Sequence, residues 1–284
     1  MASYRFCRSD DLPLLSRAHE ACYRPHFQEL PALDVSALRR AGREIDLWTS
    51  SCMVAAVGQE PVAVLLATKR DDAALIWRVG THPEHLRQGH GRHLLTSLSS
   101  KLAILGPRRM LAEVPAERAA ARALFEGCGW RLDLEYTDFV LRRPSRPAPA
   151  SDLVMPITID DLVSNAAFDG SARRAWERSP ATLLKRKDSV RGWAVASDVR
   201  IEAHLLFDDD PAAGERRLLA LGCADAALEA TWWTLLVGQL AGADPRPLRY
   251  ARVHAGEVPF ELLLSWGFER GPTTLGYTRQ PQAA

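Results

Sequence analysis

Residues His82 to Leu95 read HPEHLRQGHGRHLL: a proline turn, two arginines and a Gly-x-Gly set directly before a helical pattern. A helix start leaves backbone N–H groups without intrahelical partners and carries the positive end of the helix dipole. Gly89 and Gly91 lack β-carbons, so a ligand can come close to the backbone there. Arg87 and Arg92 add positive charge, with His90 and His93 beside them. Such a combination suits a phosphate or pyrophosphate. No Gly-Lys-Ser/Thr follows, so this is not a Walker loop, and His93 and Leu94 take the later positions of a dinucleotide Gly-x-Gly-x-x-Gly. Four histidines (His82, His85, His90, His93) crowd the segment, but no cysteine or carboxylate set completes a tetrahedral site. No metal is expected.

Elements on either side must hold this loop. Ala73 to Thr81 is almost wholly apolar and reads as a strand buried on both faces. Gly91 to Leu105 reads as a helix with Leu94, Leu95, Leu98 and Leu102 on one stripe. Upstream, the pattern predicts a strand at Tyr4 to Arg8, a helix from an N-cap at Ser9 to about Tyr23, and a second helix at Val35 to Arg43. A hairpin of Ser51 to Val57 and Pro61 to Lys69 follows. Downstream come a strand at Met110 to Val114, a helix at Glu117 to Glu126 and a closing strand or hairpin at Trp130 to Leu141.

The pattern is written twice. RSDDL at Arg8 has a counterpart in TIDDL at Thr158, SCMVAAV at Ser51 in RGWAVAS at Arg191, and FEGCGW at Phe125 in LLSWGF at Leu263. Gly129 and Gly267 stand 138 positions apart, and the same offset lays GRHLLTSLSSKLA on EATWWTLLVGQLA with apolar positions in phase. An offset carried across a strand, a helix and a turn indicates a duplication. Between the copies, RRPSRPAPAS (Arg142 to Ser151) lacks large apolar residues and reads as an exposed linker.

Strand, VGTHPEHLRQGHGRHLL, helix, and then ERAAARALFEGCGW together resemble motif A and the following helix of the GNAT (GCN5-related N-acetyltransferase) superfamily. The resemblance covers about residues 4 to 142 and, more weakly, the second half. It implies an α/β (α+β) fold of two tandem GNAT-like mixed-sheet domains: 1–143 binding acyl-CoA and catalytic, 144–151 a Pro-rich linker, 152–284 a degenerate copy. Acetyl-CoA or another acyl-CoA is the implied co-substrate. Backbone groups of Val79, Gly80 and Thr81 would pair with its pantetheine arm, and Arg87, Gln88, Gly89, His90, Gly91 and Arg92 would hold its pyrophosphate. The chain departs from the family pattern at four places: Leu86 stands at the first motif position, Phe125 where many members carry a general-acid tyrosine, Arg118 where an asparagine often opens that helix, and Leu75 where some carry a glutamate base.

Acyl transfer to an amine needs a neutral nucleophile beside a thioester carbonyl and a group that takes its proton. Glu113 is the candidate base; as a rim carboxylate it could equally sit in solvent or pair with Arg118. Tyr136 is the candidate acid, set against an ordinary sheet aromatic. Cys128, beside Gly129, reads as a buried packing residue, which favours direct transfer in a ternary complex over an acyl-enzyme. Asp34, Glu44 and Asp46 lie in the variable stretch that would wall the acceptor, where they either attract a cationic amine or form a solvated face.

At the same offset, Arg87, Gly89, His90 and Gly91 become Asp225, Ala227, Leu228 and Glu229. Negative charge has replaced positive, which disfavours a pyrophosphate in the second copy. Its core pattern is intact (Trp193, Leu205, Leu218, Trp233, Leu236, Phe268), so its expected role is structural, in an intramolecular pseudo-dimer.

A formal net charge of +1 over 284 residues excludes nucleic-acid binding by bulk basicity. Five scattered cysteines without C-x-x-C spacing suit reduced thiols. MASYRFCRSDD has no apolar signal core, and no apolar run reaches membrane length, so a soluble cytoplasmic protein is expected. The sequence thus points to an N-acetyltransferase acting on a primary amine of a small molecule or peptide. A non-catalytic acyl-CoA sensor or an interaction protein of the same fold is the alternative.

Overall fold

The computed structural model describes residues 1–142 and 151–282. The linker expected at 144–151 therefore lies, apart from Ser151, outside the described residues. The chain forms two compact units, 1–134 with 275–284 and 135–274. This division differs from the one expected at the linker: the cuts fall inside two strands, β6 (Arg131–Leu141) and β12 (Glu269–Arg279). Each unit is completed by a strand from the other half of the sequence.

In the first unit, β1 (Ser3–Phe6), β2 (Met53–Val57), β3 (Glu60–Lys69), β4 (Ala73–Thr81) and β5 (Arg109–Pro115) are followed across the sheet by the end of β12. β4 and β5 are parallel, whereas β1 to β4 run antiparallel to their neighbours. Helices α1 (Leu12–Cys22), α2 (Val35–Glu44), α3 (His90–Leu105) and α4 (Ala119–Gly127) connect them. Leu94, Leu95, Leu98 and Leu102 of α3 are buried, as their spacing predicted, against Leu65, Met110, Phe125 and Trp130. Fully burying one such side chain contributes roughly 1.5–3 kcal/mol. Ser9 does not cap α1. The helix starts three residues later, and the Asp11 carboxylate accepts from the Arg8 N–H at 2.7 Å and from Arg5 at 2.6 Å.

The second unit repeats the order. β7 (Val154–Ile157), β8 (Arg191–Ala196), β9 (Ile201–Asp210), β10 (Glu215–Cys223), β11 (Leu248–Val253) and the end of β6 make its sheet. Helices α5 (Ile159–Ser164), α6 (Pro180–Lys185), α7 (Glu229–Gly242) and α8 (Phe260–Ser265) complete it. Its core contains Leu205, Leu218, Trp233, Leu236 and Phe268, with Trp193 and Trp232 packed at the margin. Among the described residues no helix is long and apolar enough to cross a membrane.

Candidate active site

β4 is a strand in two parts. Ala73 to Ile76 are buried and pair with β3 on one side and β5 on the other. Pairing with β5 then stops at Ile76 and Ala112. At the same level the register with β3 slips between Leu66 and Ala67, leaving Trp77 as an extra residue on β4. A bulge bends and twists its strand, and here the bend coincides with the separation of β4 from β5. Beyond it, the His82 N–H donates to Val62 O at 2.9 Å, which fixes the alternation of the antiparallel ladder. Arg78 and Gly80 therefore pair inward with β3, and Val79 and Thr81 turn their backbone groups to the open side. Of the three residues expected to pair with an extended ligand, Val79 turns its backbone to the open side, Thr81 does so with its carbonyl held by His26 at 2.8 Å, and Gly80 does not. Gly80 answers to packing instead: a Cβ there would lie 2.5 Å from Cys22 O and 2.8 Å from Tyr23 Cα, at the end of α1.

The strand leads into the loop singled out in the sequence. A 3-10 turn, Pro83–His85, is capped by His82, whose Nδ1 accepts from the Glu84 N–H at 3.3 Å. Arg87 and Gly89 then adopt left-handed backbone, φ +62° and +85°, and α3 starts at His90, one residue before the expected Gly91. Nothing lies within 4 Å of a Cβ built at Gly89, so the space over the loop is open. Among the described residues no acceptor meets the backbone N–H groups of Gln88, Gly89, His90 and Gly91. These groups form a concave set of donors at the positive end of α3, fit for an anion.

The side chains around the loop are more committed than the sequence suggested. His90 is buried, its Nδ1 shares a 2.6 Å hydrogen bond with the Tyr4 hydroxyl, and burial pushes its pKa down, so it adds no positive charge. His93 packs on the same tyrosine, ring centroids 3.8 Å apart. Arg92 Nη1 donates to Gly127 O at 3.1 Å, tying α3 to α4. Gly91 is where the two helices meet, for a Cβ there would come within 3.0 Å of Leu124 Cδ2. Arg87 is exposed on the loop itself. The cradle is thus mainly backbone. Among the described residues no group of three or more His, Cys, Asp or Glu could hold a metal ion.

Glu113 is half-buried on β5, one residue past the last pair with β4. Arg118, at the N-cap of α4, is not its partner: the guanidinium lies over the Phe27 ring at 4.5 Å and 3.9 Å from Glu117. Phe27 stacks on Tyr23 at 4.6 Å, Arg78 lies over Tyr23 at 5.4 Å, and Arg78 Nη1 donates to His19 Nε2 at 2.6 Å. His26 Nε2 hydrogen-bonds the Thr81 carbonyl at 2.8 Å. This aromatic and arginine wall runs from the open edge of β4 to the start of α4. Burial holds the His19 ring well below the usual range, at about 4.

The remaining candidates fall elsewhere. Asp34 caps α2 by accepting from the Ala37 N–H at 2.7 Å, and Asp46 is held by Arg70 at 2.9 Å, so both are structural carboxylates. Cys128 is buried, its thiol pKa pushed up by burial. Tyr136 lies in the second unit, buried, with its ring edge-on to His254 at 6.0 Å. The tyrosine that reaches α4 is Tyr277, supplied by β12. Its ring stacks on Phe125 at 6.1 Å, and its hydroxyl donates to Glu126 Oε1 at 2.7 Å. It is 2% exposed, a core residue rather than a proton donor to substrate. No sequence signal pointed to it, because it stands about 150 residues from its partners.

In the second unit α7 starts at Glu229 with Leu228 at its N-cap, φ −106°, and no left-handed residue stands there. The Asp225 carboxylate accepts from the Ala227 N–H at 2.9 Å, an internal anion where the first unit leaves donors open.

Residues 13–130 match the model of the Acetyltransferase (GNAT) family. No curated protein matches the chain by sequence. Among solved structures, a GCN5-related N-acetyltransferase from Sphaerobacter thermophilus aligns over 99% of this chain and 96% of its own, at TM-score 0.68 and 14% identity. A tandem GNAT protein from the clavulanic acid biosynthesis pathway aligns over 100% of both chains, at 0.62 and 15%. A GCN5-related N-acetyltransferase from Anabaena variabilis covers 99% of this chain, with 73% of its own covered, at 0.67 and 12%. At such identities these likenesses establish the fold.

Proposed function

From the match of residues 13–130 to the GNAT family of acetyltransferases, within a chain of tandem GNAT fold, we propose that the first unit transfers an acetyl group from acetyl-CoA to a primary amine of a small molecule or peptide. The observation that carries this reading is the coincidence of the Trp77 bulge, the separation of β4 from β5, and the open donor loop at Gly89. An extended arm fits along Val79 as far as Thr81, whose carbonyl His26 holds, and a pyrophosphate fits the N–H groups of residues 88–91. The substrate would supply a thioester carbonyl at the mouth of the gap. There the chain's contribution is chiefly position: holding two reactants at bonding range accounts for much of such a rate enhancement.

Glu113, at the end of the paired part of β5, is the group assigned to take the amine proton, directly or through one water. Direct transfer is favoured because Cys128 is buried and its thiol pKa raised, so no thiolate nucleophile is at hand. Tyr136, in the second unit, has no assigned part in this reading. The buried Phe125, at the position where many relatives place a tyrosine, favours one second reading: an acyl-CoA sensor of the same fold without turnover.

Calorimetric titration of acetyl-CoA into the full chain, followed by release of free thiol with a panel of amines, tests both. Binding with turnover is the expected result. Saturable binding without turnover on any amine leaves the sensor, and no binding removes both.

A further inference from the structure

The second unit has the same bulge and the same separating strands, yet its gap is full. Leu219 is the extra residue on β10, at the place Trp77 holds on β4, and β10 pairs with β11 only at Arg216 and Arg217. The Ala224 N–H donates to Glu202 O, so by the same alternation Leu221 turns outward, as Val79 does in the first unit. Into this opening reaches Arg178, from a 3-10 turn between α5 and α6. Its Nη1 donates to the Leu219 carbonyl at 2.7 Å, on one wall. Its Nε and Nη2 donate to the carbonyls of Ala251 at 2.6 Å and Arg252 at 2.8 Å, on the other. Two consecutive carbonyls of a regular strand point opposite ways; here Arg252, at φ +52°, breaks the alternation and aims both at the guanidinium.

Glu257 closes the gap from the far side. Its two oxygens accept from Arg178 Nη1 and Nη2, both at 2.7 Å, and Oε1 also accepts from Arg174 Nε at 3.1 Å and the Tyr250 hydroxyl at 2.8 Å. Arg174 Nη2 donates to the outward Leu221 carbonyl at 3.2 Å. Arg178 lies over the Tyr250 ring at 4.7 Å, and every one of these side chains is buried. Burial alone would push the Glu257 carboxyl up; Arg178 and then Arg174 outweigh it and hold the group ionised. In the first unit no arginine of the corresponding turn bridges the two walls: Arg24 turns to Glu20 at 2.8 Å, and His26 Nε2 hydrogen-bonds the outward Thr81 carbonyl on the β4 side at 2.8 Å.

We propose that Arg178 and Glu257 act as a built-in ligand, a guanidinium–carboxylate pair occupying in the second unit the gap that the first leaves open for an extended substrate. The comparison with an acyl donor rests on the function proposed above; the plugging of the gap does not. With Asp225 on the loop amide, this unit satisfies internally both the anion site and the slot, and it takes no acyl-CoA.

Arg178→Ala in the full chain should melt about 10 °C lower, because it strands a buried carboxylate and several carbonyls. Ethylguanidinium, which replaces the atoms removed beyond Cβ, should recover about half of that loss at ~10 mM, and ethylammonium should not. Arg178→Lys keeps the charge but not the fork and should still melt about 5 °C lower. A melt of either variant within 2 °C of the parent, or equal rescue by both cations, overturns the proposal. So does a titration giving two acetyl-CoA per chain. One per chain agrees with it; none removes the function proposed for the first unit, and the melts still decide the plug.

Discussion

Gly89→Glu separates the anion loop from the fold. Gly89 sits at φ +85° with nothing within 4 Å of its missing Cβ, so a side chain meets no wall and pays only for left-handed backbone, about 1–2 kcal/mol. In a chain of this size that lowers the melting temperature by about 2–6 °C. Binding should suffer more. A carboxylate ~6 Å from a bound phosphate repels it by about 3 kcal/mol at an effective dielectric of ~20. Exposure of the loop and salt halve this to about 1.5 kcal/mol, a factor of about 10, which adds to any loss from the backbone. Calorimetry with acetyl-CoA on Gly89→Glu and Gly89→Ala measures the two parts. The acidic variant should bind about tenfold more weakly than the alanine variant at low ionic strength, the ratio shrinking toward unity in ~0.5 M salt. Equal affinities for both variants at low salt would refute the reasoning, since the site would then not be reading negative charge.

Glu113→Gln should lower kcat by about 10²-fold or more with the acetyl-CoA KM unchanged; a variant of parental rate removes Glu113 as the base. Tyr277→Ala should loosen the core of the first unit although it lies far along the chain: about 3–5 kcal/mol, seen as a melting temperature about 10 °C lower, with Tyr277→Phe losing only the ~1 kcal/mol of the Glu126 bond. Burial lowers the His19 and His204 rings from 6.5 to about 4. Their neutral forms are stabilised in the fold, so this contribution is present above pH 6.5 and is lost as pH falls toward 4. The melting temperature should drop by several degrees across that window, and His204→Gln should flatten the slope; a flat profile in the parent would contradict the burial argument.

Much of the architecture was legible because it depends on local pattern. β4 has the expected bounds, and the Leu94 stripe and the Gly89 loop follow from side-chain periodicity and from a residue that tolerates left-handed backbone. What escaped depends on distance in sequence. The exchange of strand ends could not be read from the proline-rich segment, since a linker marks where chain is exposed and not which unit a strand completes. Gly80 was legible as glycine but not as the contact point of α1. Arg178 shows the limit most plainly: an arginine beside Trp176 and Glu177 looks like a surface cation, and only the fold reveals three backbone carbonyls and a carboxylate around its guanidinium. The charge reversal at Asp225 was visible, whereas the filled slot was not.

The strand ends exchanged between the units also set a timetable for synthesis. The first unit's sheet needs residues 275–279, which leave the ribosome some 140 residues after Leu134. At ~5–20 residues per second, that is an interval of roughly 7–28 s in which β5 waits with an open edge and Phe125 without Tyr277. Completion of the first unit's sheet is therefore coupled to synthesis of the second half of the chain.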